Sequence, residues 1–207
     1  MRHAIWMTAG LLTSIALGLT AWTAFGRAES APGPLREHRS EVVRLAHPPA
    51  WTVTHDTFDL ADDDSHFIAL GSDDDAALLL SIFGGETGII LETFAARYGS
   101  HLDASATMAG HAISASPTPV GRIEARIFGR SHSGLVQDFT LARGLARQVR
   151  RMAFFKVARD DREYFIVINA RRAAWEQTIR DAEQILASLR PEPRIVAVDS
   201  GRSRSDD

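Results

Sequence analysis

The chain has 207 residues, of which 45% are hydrophobic and 24% charged, a balance that excludes intrinsic disorder over most of its length. It contains no cysteine, which excludes disulfides, thiol catalysis, thiolate metal sites and a lipid anchor on an N-terminal cysteine. The net charge of −3 gives no general attraction to nucleic acid, so no nucleic-acid partner is expected.

After Arg2, an uncharged run of 21 residues extends from Ile5 to Phe25. The apolar core of a cleavable export signal usually has about 7 to 15 residues, whereas a helix needs about 20 to cross a bilayer. The length therefore favours a hydrophobic helix that anchors the chain in the inner membrane. Small residues at Ala24, Gly26 and Ala28 leave open a signal that is cleaved to release a secreted protein. Both alternatives predict an exported, periplasmic or otherwise extracytoplasmic protein, with residues 1–28 as the targeting segment.

Residues 29–45 contain proline, glycine and many charges without a sustained period, so they are predicted to be a linker. The folded domain is assigned to residues 46–190. Three short apolar segments open it, at Thr57–Leu60, His66–Leu70 and Ala76–Phe83. Each is too short for a helix, and turn-forming residues separate them, which predicts three antiparallel strands in a meander.

Two triple-aspartate runs, Asp62–Asp64 and Asp73–Asp75, lie on either side of the middle strand, close to His66. A calcium-binding loop alternates its acidic residues around a central glycine, and neither run has that pattern. A five-residue strand would also hold the two runs about 17 Å apart, at about 3.3 Å per residue. The runs are therefore interpreted as two separate turns and not as a metal site, with His66 as a strand residue and not a ligand.

Helical periodicity extends from about Ile89 to Leu102, and strand-like alternation returns over residues 110–143. A hairpin is then predicted, with strands at Met152–Ala158 and Glu163–Asn169 and a turn at Asp160–Asp161.

A second amphipathic helix is predicted from Trp175 to Leu189, ended by Pro191. Residues 191–207 are polar and are predicted to be a disordered tail. Strands joined mostly by hairpins, together with two helices, predict an α+β fold, in which amphipathic helices pack on an antiparallel sheet.

The order of these elements resembles the PsbP/DcrB-like superfamily over about Ala46 to Arg190. The resemblance depends on the entry "HPPAWTV", the strand and helix "AALLLSIFGG" and "ETFAARYGS", the hairpin "FFKVARDDREYFIVINA" and the final helix "WEQTIRDAEQILASLR". It implies an α/β/α sandwich in a small extracytoplasmic or luminal protein that binds membrane complexes or assists their assembly, without a shared catalytic set. The family's bacterial lipoproteins carry a cysteine at the signal boundary, which this chain lacks.

Four arginines precede a phenylalanine pair in the segment "LARGLARQVRRMAFFK": Arg143, Arg147, Arg150 and Arg151. Residues 122–172 hold 12 basic and 5 acidic residues, a net of +7, whereas residues 37–103 hold 3 and 13, a net of −10. One interpretation is that the arginines form a solvated strand face or pair with acidic side chains of the first half. The other is that they bind an anionic partner, either an acidic protein surface or phospholipid head groups.

Other candidate chemistry is weak. The segment "GRSHSG" differs from a nucleophile elbow because Ser133 stands where the second glycine is required, so a loop is predicted there. The eight histidines show no zinc-helix spacing, and His38 and Glu41 share only a bare three-residue interval. We therefore expect an exported, non-catalytic binding or assembly module without cofactor or metal, with a protein partner on or beside a membrane complex. The alternative is a hydrolase or metal-dependent enzyme whose site is assembled only in the fold.

Overall fold

The structure is a computed structural model that describes residues 33–58, 65–108, 112–143 and 145–192. The strands in these ranges are β1 Arg36–Arg39, β2 Val43–His47, β3 Trp51–Phe58, β4 Ser65–Ser72, β5 Ala77–Gly84, β6 Ala112–Ile127, β7 Arg130–Arg143, β8 Ala146–Arg159, β9 Arg162–Arg171 and β10 Arg190–Pro191. The helices are α1 Leu91–Met108 and α2 Trp175–Ser188, and a short 3-10 turn, Arg172–Ala174, precedes α2.

Seven strands form one antiparallel sheet in the order β3-β4-β5-β9-β8-β7-β6. A smaller antiparallel sheet has the order β1-β2-β10. The outer strand β6 is irregular, with register shifts between Ile113 and Ala115, between Ala115 and Thr118, and between Pro119 and Gly121. The predicted α+β class is confirmed, because the sheets are antiparallel and the two helices pack on them.

Each face of the large sheet has its own hydrophobic core, because successive side chains of a strand point to opposite faces. In β8, Met152 and Phe154 point toward α1, whereas Ala153 and Phe155 point toward α2. Helix α1 contributes the buried residues Phe94, Ala95, Tyr98 and Leu102, which are the apolar face that the sequence predicted. Helix α2 and the small sheet cover the other face, with Ile179, Ala182, Leu186, Val43 and Leu45 among the buried residues. The fold therefore has three layers: α1, the seven-stranded sheet, and a third layer formed by α2 and the small sheet.

The predicted strands at Met152–Ala158 and Glu163–Asn169 are confirmed within β8 and β9, and their turn is Asp160–Asp161. Both aspartates have positive φ, 52° and 56°, as expected for a two-residue hairpin turn. In the meander, the second and third strands are confirmed as β4 and β5. The first, predicted at Thr57–Leu60, overlaps the observed β3, Trp51–Phe58, only at its last two residues, and residues 59–60 lie outside the described residues. Polar residues occupy much of this edge strand, so its sequence has little apolar signal.

The predicted linker, residues 29–45, is wrong for its second half, which forms β1 and most of β2. Val43 and Leu45 are buried against α2, and this two-residue alternation was too short to recognise as a strand. The predicted tail also begins too early, since Pro191 pairs with Val43 and the Glu192 amide donates to the Val42 carbonyl at 2.8 Å. Within the described residues, the small sheet therefore includes contacts from Arg36 to Glu192.

Several predicted segments lie outside the described residues: the apolar helix Ile5–Phe25, residues 59–64 with the run Asp62–Asp64, and residues 193–207. No helix in the described ranges is long and apolar enough to span a membrane. The run Asp73–Asp75 forms the predicted turn between β4 and β5.

Candidate binding surface

Arg150 lies in β8 on the face that α1 covers, and its side chain is only 1% exposed. Its guanidinium donates to the Asp75 carboxylate at 2.7 Å, to the Asp75 backbone carbonyl at 2.6 Å and to Asn169 Oδ1 at 3.0 Å. Burial lowers the pKa of Arg150, and the neighbouring Asp75 carboxylate opposes that shift. The prediction that Arg150 takes part in an external anionic site is therefore wrong. It pairs instead with an acidic residue of the first half, as the other interpretation predicted.

Arg151 points to the opposite face of β8, as strand alternation requires. Its Nε and Nη2 donate to the two carboxylate oxygens of Asp138, directly across in β7, at 2.7 and 3.0 Å. Its guanidinium also lies 5.8 Å from the centre of the Trp175 ring. The hydrogen bond to Asp138 raises the pKa of Arg151. Arg151 is thus committed to an ion pair that joins β7, β8 and the start of α2.

Arg143 and Arg147 lie at the tip of the β7–β8 hairpin, where Arg143 is the last residue of β7 and Arg147 is the second residue of β8. The Arg147 side chain is exposed. The four predicted arginines therefore do not form one surface. Two are held in internal ion pairs, and two are placed at the tip of one hairpin.

The same tip exposes apolar side chains. Leu145, in the turn between the strands, is fully exposed, and Val149 is 42% exposed. On the β8 side the hairpin extends beyond its neighbour, because the last residue of β9, Arg171, pairs with Arg150 and leaves residues 146–149 of β8 beyond it. On the β7 side, β6 pairs with β7 as far as Ala142. Leu145 is the most exposed of the large hydrophobic residues in the described ranges, and with Val149 and Arg147 it is accessible to another surface at this end of the hairpin.

A hydrogen-bonded cluster missed from the sequence joins the two sheets. His38 of β1 donates from Nε2 to Asp56 Oδ2 of β3 at 2.7 Å, and His66 of β4 contacts Oδ1 of the same carboxylate. Burial raises the pKa of Asp56, but the hydrogen bonds from His66 and His38 outweigh it, so the pKa is lowered overall. His38 was assigned to the linker, so the sequence contained no local signal for this contact.

Metal and nucleophile chemistry gain no support from the described side chains. No group of three or more histidine, aspartate or glutamate residues in the described ranges has an arrangement that could hold a metal ion. Within "GRSHSG", Ser131 donates to Glu124 at 2.7 Å, and Ser133 is exposed on β7. Gly134 has a packing role, since a Cβ there would lie 2.5 Å from a ring carbon of Phe155. From Arg130 onward the segment belongs to β7 and not to the predicted loop, and Gly129 lies in the turn before that strand.

Solved structures that align with the chain do so at low sequence identity. A Bacteroides thetaiotaomicron protein is 13% identical, with a TM-score of 0.40, and the match covers 73% of this chain but only 46% of that protein. Cyanobacterial PsbP from Synechocystis is 8% identical, with a TM-score of 0.39 and coverages of 82% and 99%. LpqN, involved in cell envelope biogenesis of Mycobacterium tuberculosis, is 10% identical, with a TM-score of 0.38 and coverages of 80% and 88%.

A PsbP protein is thus among the structural matches, as the sequence resemblance predicted. Each TM-score is below 0.5, so these likenesses do not by themselves identify a function. No protein-family model matches the chain, and no curated protein matches it.

Proposed function

We propose that the chain is an exported, membrane-tethered binding or assembly module without a catalytic role, and that the tip of the β7–β8 hairpin is its contact surface. The observation that carries this proposal is the full exposure of Leu145 beside Arg147, at the end of a hairpin that extends beyond β9. A large apolar side chain held in water at a loop tip contributes nothing to the core and is available for contact.

The membrane location is supported by the uncharged run from Ile5 to Phe25, whose length suits a bilayer span. A tethered domain meets its partner at high effective concentration, so a small contact surface is sufficient. The module would then act on or beside a membrane protein complex, where the tip contacts its surroundings.

The test is site-directed photo-crosslinking of the full-length chain in membranes, with the crosslinking amino acid at Ala146 or at Asp161. Both residues are exposed, and they lie at opposite ends of β8: Ala146 is its first residue, and Asp161 is in the turn that follows it. We expect adducts from position 146 and few from position 161. Equal adducts from the two positions, or none from position 146, would contradict a contact surface at the tip.

Export is tested separately. Because the chain has no cysteine, Asp161→Cys creates a single thiol in an exposed turn. A membrane-impermeant maleimide should label this thiol in intact cells as completely as it does after lysis, with the chain recovered in the membrane fraction. Labelling only after lysis would contradict export, and recovery in the soluble fraction would contradict the tether.

A further inference from the structure

We propose that the tip of the β7–β8 hairpin docks on an anionic phospholipid surface, with Leu145 and Val149 entering the head-group region and Arg147 meeting the phosphates. This inference rests on the proposed function, because it identifies what the contact surface of the tethered module touches.

The first argument is where the N-terminal segment enters the domain. Arg36 pairs with His47, and only three residues separate His47 from Trp51, the first residue of β3. In the antiparallel sheet β3, β5 and β8 all begin at the same end, and the tip of the β7–β8 hairpin lies at that end too. The chain therefore enters the fold near the end of the sheet where the hairpin tip lies.

The second argument is reach. Ten residues, 26–35, separate the uncharged run from β1, and ten extended residues span at most about 33–36 Å. The strand β8 is four strand positions from β3, which is about 19 Å at about 4.8 Å per position. A segment of this length allows the hairpin tip to reach the bilayer in which the run Ile5–Phe25 would be anchored.

The third argument is the charge next to the tip. Asp138 and Asp75 are the carboxylates that contact β8 near its start, and each is bound to an arginine, Arg151 or Arg150. Their negative charges are therefore offset, whereas Arg147 presents its charge outward. The acidic turn Asp73–Asp75 lies at the same end of the sheet, and Arg150 of β8 binds its Asp75. An anionic surface therefore favours an orientation in which Arg147, and not this turn, faces the lipid.

The fourth argument concerns the size of the apolar surface. A specific protein interface buries about 800 Å² on each partner around a packed centre. The hairpin tip exposes two apolar side chains, Leu145 and Val149. A lipid surface needs no pocket of matching shape, and a short apolar tip flanked by basic residues can insert into it. Such insertion is weak by itself, but the tether keeps the tip at a high effective concentration near the bilayer.

The experiment uses the full chain in vesicles, with a polarity-sensitive fluorophore on a single thiol. Ala146→Cys places the probe beside Leu145 and keeps that residue, and Asp161→Cys is the matched control at the far end of β8. In vesicles that contain phosphatidylglycerol, we expect blue-shifted emission from position 146 and quenching by brominated lipid chains. Position 161 should remain in water, and vesicles of phosphatidylcholine alone should give no shift.

Two further variants test the named side chains in the Ala146→Cys background. Arg147→Glu should reduce the equilibrium constant for docking, measured as the ratio of buried to water-exposed probe, about fivefold or more, the factor that corresponds to about one basic contact with an anionic surface. Leu145→Asp should abolish the quenching by brominated chains. Both residues are exposed, so both variants should keep the urea midpoint of the parent.

The outcomes separate this inference from the proposed function. If the chain does not float with the vesicles, both are wrong. If it floats but the probe at position 146 stays in water, or responds equally in neutral vesicles, docking on anionic lipid is wrong and the tethered module stands. A probe that becomes buried only when membrane proteins are present would assign the tip to a protein partner and overturn the lipid assignment.

Discussion

Arg150 and Arg151 are adjacent in the chain, but they stabilise different layers of the molecule. Strand alternation sends Arg150 into the core beneath α1 and Arg151 to the face of α2. The burial of Arg150 could have been predicted, because it lies two and four residues before Met152 and Phe154 on the same face. We missed it because charged residues are rarely buried without a partner, and the partner, Asp75, is 75 residues away in the sequence.

Arg150→Met should destabilise the protein, because it leaves the Asp75 carboxylate and the Asn169 side chain without their donor. The expected loss is about 3 kcal/mol in the free energy of unfolding, the scale found when one partner of a buried ion pair is removed. Arg147→Met is the matched control: its side chain is exposed, and its effect should stay within about 0.5 kcal/mol. Urea unfolding measures both variants, and equal midpoints would show that the Arg150 pair contributes little.

At the scale of elements, the sequence pattern predicted the parts whose residues alternate over a long stretch. In three elements apolar residues recur often enough to define a period: the hairpin of β8 and β9, the apolar face of α1 and the apolar stripe of α2. The small sheet was missed, because β1 is a polar four-residue strand and β2 has only Val43 and Leu45 as apolar signals on its buried side. Such short strands depend on contacts with distant residues, and those contacts leave no local pattern.

The contact between His38 and Asp56 predicts a pH dependence, because it ties β1 of the small sheet to β3 of the large one. The pKa of Asp56 is lowered from its ordinary value near 3.8. A carboxylate of this kind contributes stability above its ordinary pKa and loses that contribution as the pH falls through the lower pKa of the folded state.

Asp56→Asn should therefore lower the free energy of unfolding by about 1.5–3 kcal/mol at about pH 5, the range for hydrogen bonds to a charged group. The difference from the parent should shrink as the pH is lowered below about 3.8. Urea titrations across this range provide the measurement, and the exposed Asp161→Asn is the control. A difference that stays constant down to acid pH would mean that the ionised carboxylate is not what joins the two sheets.

At the scale of the whole molecule, the core extends to both ends of the described chain, from Val43 to Leu189. The domain bounds predicted from the sequence, 46–190, cut through the small sheet. A chain that begins at Ala46 loses β1 and the buried Val43 and Leu45, whereas a chain that begins at Arg36 keeps every strand that the structure describes.

A chain that begins at Ala46 should be less stable than one that begins at Gly33 by at least about 3 kcal/mol, since each buried valine or leucine contributes about 1.5–3 kcal/mol. The control chain begins at Arg36 and lacks only exposed residues that precede β1. It should unfold at the same urea concentration as the chain from Gly33. If the Ala46 chain also shares that midpoint, the small sheet is dispensable and the shorter domain is correct.

The irregular outer strand β6 limits how this protein can associate with other chains. Pro117 and Pro119 have no amide hydrogen, and the register of β6 shifts on both sides of Pro119. A flat, regular edge would offer an incoming strand a row of donors and acceptors, which is how sheets grow from one molecule into the next. Along β6 that row of donors and acceptors is interrupted. Edge-to-edge pairing with a strand of another molecule, which would produce dimers or fibrils, is therefore disfavoured at this edge.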